Sequence, residues 1–343
     1  MLKKFNCFTN DVIFIDGIWG TGKSIISPII GSMEGVEKQK IEHTYEYLCI
    51  LIFLQKIEVD AVDSLLKTYA DLSQYNNLTG REVNLRWKDD SGLQNNPNSF
   101  RYIKRLFKEE GDVIIEEINK KNLALHIMSH MIVQVCDPLV NAYGERLKII
   151  EIVRHPVYLI QHCFSYFSRF ESDREFTLSV EHNGNKVPWF AESWKKEFVE
   201  MSIIERSLKS IIHLYELLFN SMDNLHDKKI NILVISFESF VMNTEKELKR
   251  LEDFLGRSHS SSIKKILKRQ KIPRKFLSSG KGHLSYGWEQ NKSSSEKEEY
   301  IERLKLIDDK VPDKILKEFN DLINTYNERW PSILNQFHNQ FDC

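Results

Sequence analysis

The chain lacks a cysteine pair at redox or metal-binding spacing, a long apolar run and an excess of either charge. Its five cysteines, Cys7, Cys49, Cys136, Cys163 and Cys343, are scattered, odd in number and form no CxxC. That excludes a closed disulfide framework and a cysteine-based zinc module, and it fits a reducing compartment. Lys plus Arg (48) and Asp plus Glu (49) leave a formal net charge of −1. No global field therefore marks nucleic acid or a membrane surface as partner, and any anion must be held by a local cluster. The apolar stretch YLCILIFLQKI, residues 47–57, is too short to span a bilayer. No apolar segment follows Lys3 and Lys4 before the first strand-like run, so a secretory signal is not expected and a cytoplasmic location is. Glycines (14) and prolines (8) are few for 343 residues, and there is no repeat or low-complexity tract. What remains, 41% hydrophobic and 28% charged, is the make-up of a folded enzyme-sized protein. We expect a single α/β domain over residues 1–343.

Short runs rich in Ile and Val, apolar on both faces, read as buried parallel strands at 12–16, 112–115, 123–127, 148–153 and 230–236. Helical spacing lies between them at 24–33, 42–57, 61–72, 99–109, 133–143, 201–222 and 244–255. Thr244-x-x-Glu247 has the form of a capping box, and Gly256 marks a helix end. Alternation of this kind predicts a mainly parallel sheet flanked by helices, an α/β fold. Polar segments around 73–98 and 171–200 are expected to be insertions on the acceptor side.

Residues 12–24, VIFIDGIWGTGKS, carry the most specific signal. Gly17-x4-Gly22-Lys23-Ser24 fits the phosphate-binding loop pattern between a predicted strand and a predicted helix. Glycines let backbone N–H groups converge on an anion, and the helix that follows adds its positive end. Gly20, Thr21, Gly22, Lys23 and Ser24 are the candidate binding residues, with Lys23 also the cation that would stabilise charge during transfer. Further on, KIIEIVRHP (148–156) ends a strand with Arg154, placed to fork onto a phosphate in the crevice at the strands' carboxyl ends.

These residues carry a resemblance. KIIEIVRHP is similar to the sulfotransferase segment KIIYIVRDP. SFESFVMNTEKELKRLEDFLGR (236–257) resembles that family's RYEDLVxxPEEVLRRLxxFLG. PRKFLSSGKGHLSYGWEQN (273–291) is loosely similar to its late RKGxxGDW element. The pieces span residues 12–290 in the family's order. The resemblance implies transfer of a sulfuryl group from 3′-phosphoadenosine 5′-phosphosulfate (PAPS) to an acceptor hydroxyl, on a carbohydrate or a small molecule, with no metal. It implies that the loop cradles the 5′-phosphosulfate, that Arg154 holds the 3′-phosphate with help from Lys281 and Gly282, and that Phe237 lies near the adenine. The chain departs from the family twice. Gly20 stands where the family has a basic residue, its place taken by Lys23. His162 stands where the family has a serine on the 3′-phosphate.

An acceptor hydroxyl must lose a proton, so a general base is needed. Two residues stand as candidates. Glu42 lies where some members of the family carry a glutamate base, and His130 follows a strand where others carry histidine. Glu42 is the marginal first choice, and His43 and Glu46 are its neighbours. The intact Gly-Lys-Ser leaves a second reading, an ATP-dependent small-molecule kinase, which would need a carboxylate to hold Mg²⁺. A non-catalytic nucleotide-binding module is the third.

Overall fold

A computed structural model describes residues 1–5, 7–87, 92–95, 99–173, 175–228, 230, 232–277, 295–307 and 311–338. Its centre is a five-stranded parallel sheet in the order β2-β3-β1-β4-β7. The strands are β1 (Val12–Asp16), β2 (Lys40–Ile41), β3 (Leu125–Met128), β4 (Leu147–Val153) and β7 (Ile232–Ser236). Every residue of β1 and β3 is buried, as the unbroken Ile/Val/Phe/Leu runs require of strands covered on both faces. The register sets Ile15 and Ile41 level with Met128, and Asp16 level with Glu151. The strand ends therefore form one edge.

Between the strands lie α1 (Lys23–Ile30), α2 (His43–Phe53), α3 (Val59–Leu78), α4 (Ser99–Arg105), α5 (Asp112–Lys121), α6 (Asp137–Tyr143) and α7 (Ile160–Phe167). A two-stranded hairpin, β5 (Ser179–His182) and β6 (Asn185–Pro188), precedes α8 (Lys195–Glu200) and the long α9 (Ile203–Asp227). The remaining α-helices among the described residues are α10 (Phe237–Met242), α11 (Thr244–Leu255), α12 (Ile263–Gln270), α13 (Glu296–Leu304), α14 (Asp313–Arg329) and α15 (Asn335–His338). The mainly parallel sheet with flanking helices is the expected fold class. One hydrophobic core runs through it from Val12 to Leu334.

Several local expectations change. Residues 112–115 are not a strand but the first turn of α5. Gly111 opens it at φ 97, Asp112 sits at its positive end, and Ile114 and Ile118 bury one face while Val113 and Ile115 face outward. A four-residue run cannot distinguish these cases, and the packing of Ile114 and Ile118 with Leu78 and Leu123 decides it. Thr244 does not cap α11. Asn243 occupies that position, and the Thr244 hydroxyl donates to the Phe240 carbonyl at 2.9 Å. The capping box is instead at Ser202 and Glu205, which opens α9. The polar segment 171–200 contains the β5–β6 hairpin and α8. Asn183 and Gly184 both take positive φ (51 and 76), the two-residue turn that matches strand twist. Residues 73–78 continue α3 rather than starting a loop.

Candidate active site at the carboxyl edge of the sheet

β1 lies between β3 and β4, so the chain leaves it toward opposite sides and a crevice opens where the two directions part. The segments that follow the strands line this edge in a row. Glu42 follows β2, His130 follows β3, the glycine loop follows β1, Arg154 follows β4 and Phe237 follows β7. With strands about 4.8 Å apart, the outermost groups flank the loop by roughly 10 Å on either side.

In the loop, Gly17, Gly20 and Gly22 take φ of 148, 83 and 96. A Cβ on Gly20 would overlap the His162 ring, and one on Gly22 would overlap the Phe237 ring. Glycine is thus needed for both the backbone turn and the close approach of two side chains from α7 and α10. Ser24 is exposed in the first turn of α1, which carries no side-chain cap and no acidic residue there. Its leading amides are open to an anion. The Thr21 hydroxyl is buried and donates to the Ile18 carbonyl at 2.9 Å. Lys23 is only 5% exposed. Its ammonium is folded back on the loop, donating to the Ile18 carbonyl at 3.0 Å and to the Gly17 carbonyl.

Beneath the loop lie two acids. Burial pushes Asp16 up, opposed by the Lys23 charge and by hydrogen bonds from the Ser129 hydroxyl and the Val133 amide, both 2.9 Å. Glu151 is fully buried, and neither of its carboxyl oxygens is hydrogen-bonded. Burial first, then the neighbouring Asp16 charge, hold it well above the ordinary carboxylate range. Burial lowers Lys23, while Asp16 and Glu151 act to raise it.

On the β4–β7 side, the Arg154 guanidinium donates to the Gly20 carbonyl at 2.6 Å and lies 4.4 Å from the Phe237 ring centroid and 5.3 Å from that of Tyr158. Burial, followed by repulsion from Arg303, brings it down to about 10. Arg274 stacks on Phe237 at 5.3 Å and Arg303 on Tyr158 at 4.6 Å. Three guanidiniums thus gather around two rings. The Nε atoms of Arg154 and Arg274 are buried without a hydrogen-bond acceptor. His162 is held well below its usual range by burial, then by Arg154, Arg303 and Lys23, and is neutral. Glu238, in the SFES string, is an anchor: it accepts from the Tyr326 hydroxyl at 2.7 Å and the His155 amide at 3.0 Å. Trp19 braces the loop by stacking on Tyr166 at 4.2 Å.

On the β3–β2 side, Glu42 is the N-cap of α2. It accepts from the Thr44 amide (3.3 Å) and hydroxyl (2.5 Å) and pairs with Lys40 at 3.5 Å. Burial would raise it, but the bonds from Thr44 and the Lys40 charge prevail and lower it. His130 sits one residue before Met131, whose amide donates to the Gly17 carbonyl at 3.4 Å. Its own partner is Glu46. One Glu46 oxygen accepts from the His130 amide at 2.9 Å and faces His130 Nδ1 at 3.3 Å, while the other faces His43 Nδ1 at 3.2 Å. Burial would raise Glu46, but these N–H groups bring it down to about 2. A cavity of about 330 Å³ opens beside β2, between Lys38, Lys40, Asn77, Glu82, Asn84 and Tyr102, with Lys40 bridging Glu82 and Glu42.

The structure thus brings Gly20, Gly22, Lys23, Arg154, His162 and Phe237 together, and sets Glu42 and His130 on the opposite flank. Lys281 and Gly282 lie outside the described residues. Sequence reasoning missed Arg274, Arg303 and Glu46. Arg274 stood in the basic tail string and Glu46 beside Glu42, whereas Arg303 sits on a helix rich in charged residues and carries no local signal.

No family model matches the chain, and no curated protein matches it. Solved structures similar to it in fold are sulfotransferases. One is the sulfotransferase domain of the Synechococcus PCC 7002 olefin synthase, at 13% identity and TM-score 0.43, covering 96% of this chain and 100% of that one. Another is the sulfotransferase domain from the curacin biosynthetic pathway, at 13% and 0.41, covering 92% and 98%. A third is mouse sulfotransferase SULT7A1 complexed with PAP, at 14% and 0.39, covering 96% and 89%. At these identities and TM-scores the likeness assigns neither donor nor acceptor. Among the described residues, no helix is long and apolar enough to cross a membrane.

Proposed function

We propose that this chain is a sulfotransferase that moves the sulfuryl group of PAPS to an acceptor hydroxyl. The observation that carries the reading is the division of labour across one edge. A ring-and-guanidinium cluster lies on one side of an anion-binding loop, and a carboxylate-held histidine lies on the other. A 3′-phosphorylated adenosine fits the first side, with Phe237 for the base and Arg154, beside His162 and Arg274, for the 3′-phosphate. The loop amides and the N-terminus of α1 take the 5′-phosphosulfate.

His130 is the base this arrangement favours. The Glu46 carboxylate places the ring proton on Nδ1, leaving Nε2 able to accept one. Glu42 is committed to capping α2 and to Lys40. In the proposed reaction the acceptor oxygen attacks sulfur in line as the bond from sulfur to the phosphate oxygen breaks. The acceptor's proton passes to His130 Nε2. Lys23, turning from the Gly17 and Ile18 carbonyls, and the α1 amides meet the charge that develops on the leaving oxygen. The kinase reading needs an available carboxylate beside Lys23. Asp16 is engaged by Ser129 and Val133 beneath the loop, and Glu151 is fully buried within β4.

Calorimetry with adenosine 3′,5′-bisphosphate and with ATP, each with and without Mg²⁺, tests the donor. Metal-independent bisphosphate binding at micromolar strength or tighter, about −8 kcal/mol, is the expected result. A preference for Mg-ATP would overturn the proposal in favour of a kinase.

A further inference from the structure

The first turn of α2 and the segment after β3 bring together two imidazoles and a carboxylate that share more than a base requires. His43 and Glu46 stand three residues apart on one helix face, and His130 arrives from the neighbouring strand. The ligand atoms of the three groups all lie within 4.8 Å of one another. Glu46 presents one oxygen to each imidazole, at 3.2 Å to His43 Nδ1 and 3.3 Å to His130 Nδ1, each close to the roughly 3.3 Å that separates two ligand atoms held about 2.0 Å from one tetrahedral ion. The His43 ring is 41% exposed and the His130 ring 26%, so the fourth side faces outward. Glu46, 9% exposed, is fixed from behind by the His130 amide. That amide bond orients the carboxylate as outer-shell partners of metal ligands do.

We infer that His43, Glu46 and His130 form a binding site for a single divalent transition-metal ion, with Zn²⁺ the best match. Two imidazoles and one carboxylate with an open position suit Zn²⁺ and its neighbours in the first row, and do not suit Mg²⁺, which prefers oxygen ligands. The ion replaces the two protons that now lie between the Nδ1 atoms and the carboxylate. Each ring then carries its proton on Nε2. For His130 this has a consequence that rests on the sulfuryl-transfer reading: the nitrogen that would accept the acceptor's proton is already occupied, so metal binding switches the base off.

The test is a titration of the full chain with ZnCl₂ in a calorimeter, beside H43Q. The wild-type chain should bind one equivalent at micromolar strength or tighter, and H43Q should bind it at least tenfold more weakly. Where PAPS-dependent turnover is measurable, Zn²⁺ should inhibit the wild type, while H43Q should keep its turnover and resist inhibition. Absence of wild-type binding, or equal binding by H43Q, would overturn the site. Binding as expected without inhibition would overturn the switch. The calorimetric result stands whether or not the chain proves to be a sulfotransferase, so the two readings fail separately.

Discussion

Lys23→Met gives the sharpest test of how the loop is built, because the lysine has a structural task as well as a chemical one. Its ammonium bonds two loop carbonyls and is the nearest cation to buried Asp16. Methionine fills most of the same volume, so the cavity left is small and the change is chiefly electrostatic. Removing the buried ammonium leaves the Gly17 and Ile18 carbonyls without their donor and takes its charge from Asp16, at a cost of about 1–3 kcal/mol. Against a total stability of roughly 5–15 kcal/mol, the variant should fold but unfold at clearly lower denaturant. Asp16→Asn alone should cost about 1–3 kcal/mol, since it loses a charged hydrogen-bond acceptor. The double variant should be less damaged than the sum of the singles, because both charges leave together, with a coupling of about 2 kcal/mol. Urea unfolding followed by tryptophan fluorescence on the four proteins measures this cycle. Turnover should fall by about 10²–10³ in Lys23→Met, the loss typical of one transition-state donor. A Lys23→Met chain as stable as the wild type, or strictly additive variants, would refute the buried pairing even if activity were lost.

Arg154→Ala should weaken adenosine 3′,5′-bisphosphate by about 10- to 100-fold, as for a charged hydrogen bond of roughly 1.5–3 kcal/mol, and leave 5′-AMP nearly unchanged. Equal losses for the two ligands would remove Arg154 from the 3′-phosphate. His130→Ala should lower kcat by about 10²–10⁴ with bisphosphate binding intact. Glu42→Gln should change kcat little, and steady-state assays of both variants decide between the two bases. Glu37, buried against Arg105 at 2.6 Å, Arg101 and Tyr102, ties the segment before β2 to α4. Burial would raise it, but the Arg105 and Arg101 bonds prevail and set its folded pKa below the ordinary 4.5. Its contribution is therefore full above pH 4.5 and is lost as pH falls through and below that value. Glu37→Gln should cost about 3 kcal/mol at neutral pH, and the gap from wild type in urea unfolding should close toward pH 3. A gap independent of pH would contradict the ion-pair account.

The flank of the edge that carries the glycine loop, Arg154 and Phe237 was legible because each part is local. A glycine loop, a strand-end arginine and a strand-end phenylalanine are written in short strings, and parallel strands bring their ends to one edge. The other flank was not. Glu42 stands after β2 as a candidate base, and only the first turn of α2 reveals that its carboxylate accepts from Thr44 and pairs with Lys40. Glu46 stands in the sequence only as a neighbour of Glu42, and its partner His130 is 84 residues away.

Chain order and residue pattern by themselves determined the strand β1, the glycine turn after it, the arginine after β4 and the parallel α/β class. They did so because backbone geometry and side-chain periodicity act over a few neighbouring residues. Tertiary structure alone decided that residues 112–115 wind into a helix, that Arg274 and Arg303 join Arg154 around two rings, and that one buried carboxylate holds two histidines beside the loop. These outcomes depend on which surfaces meet across the sheet and on the charges left there when water is excluded. No short string records either.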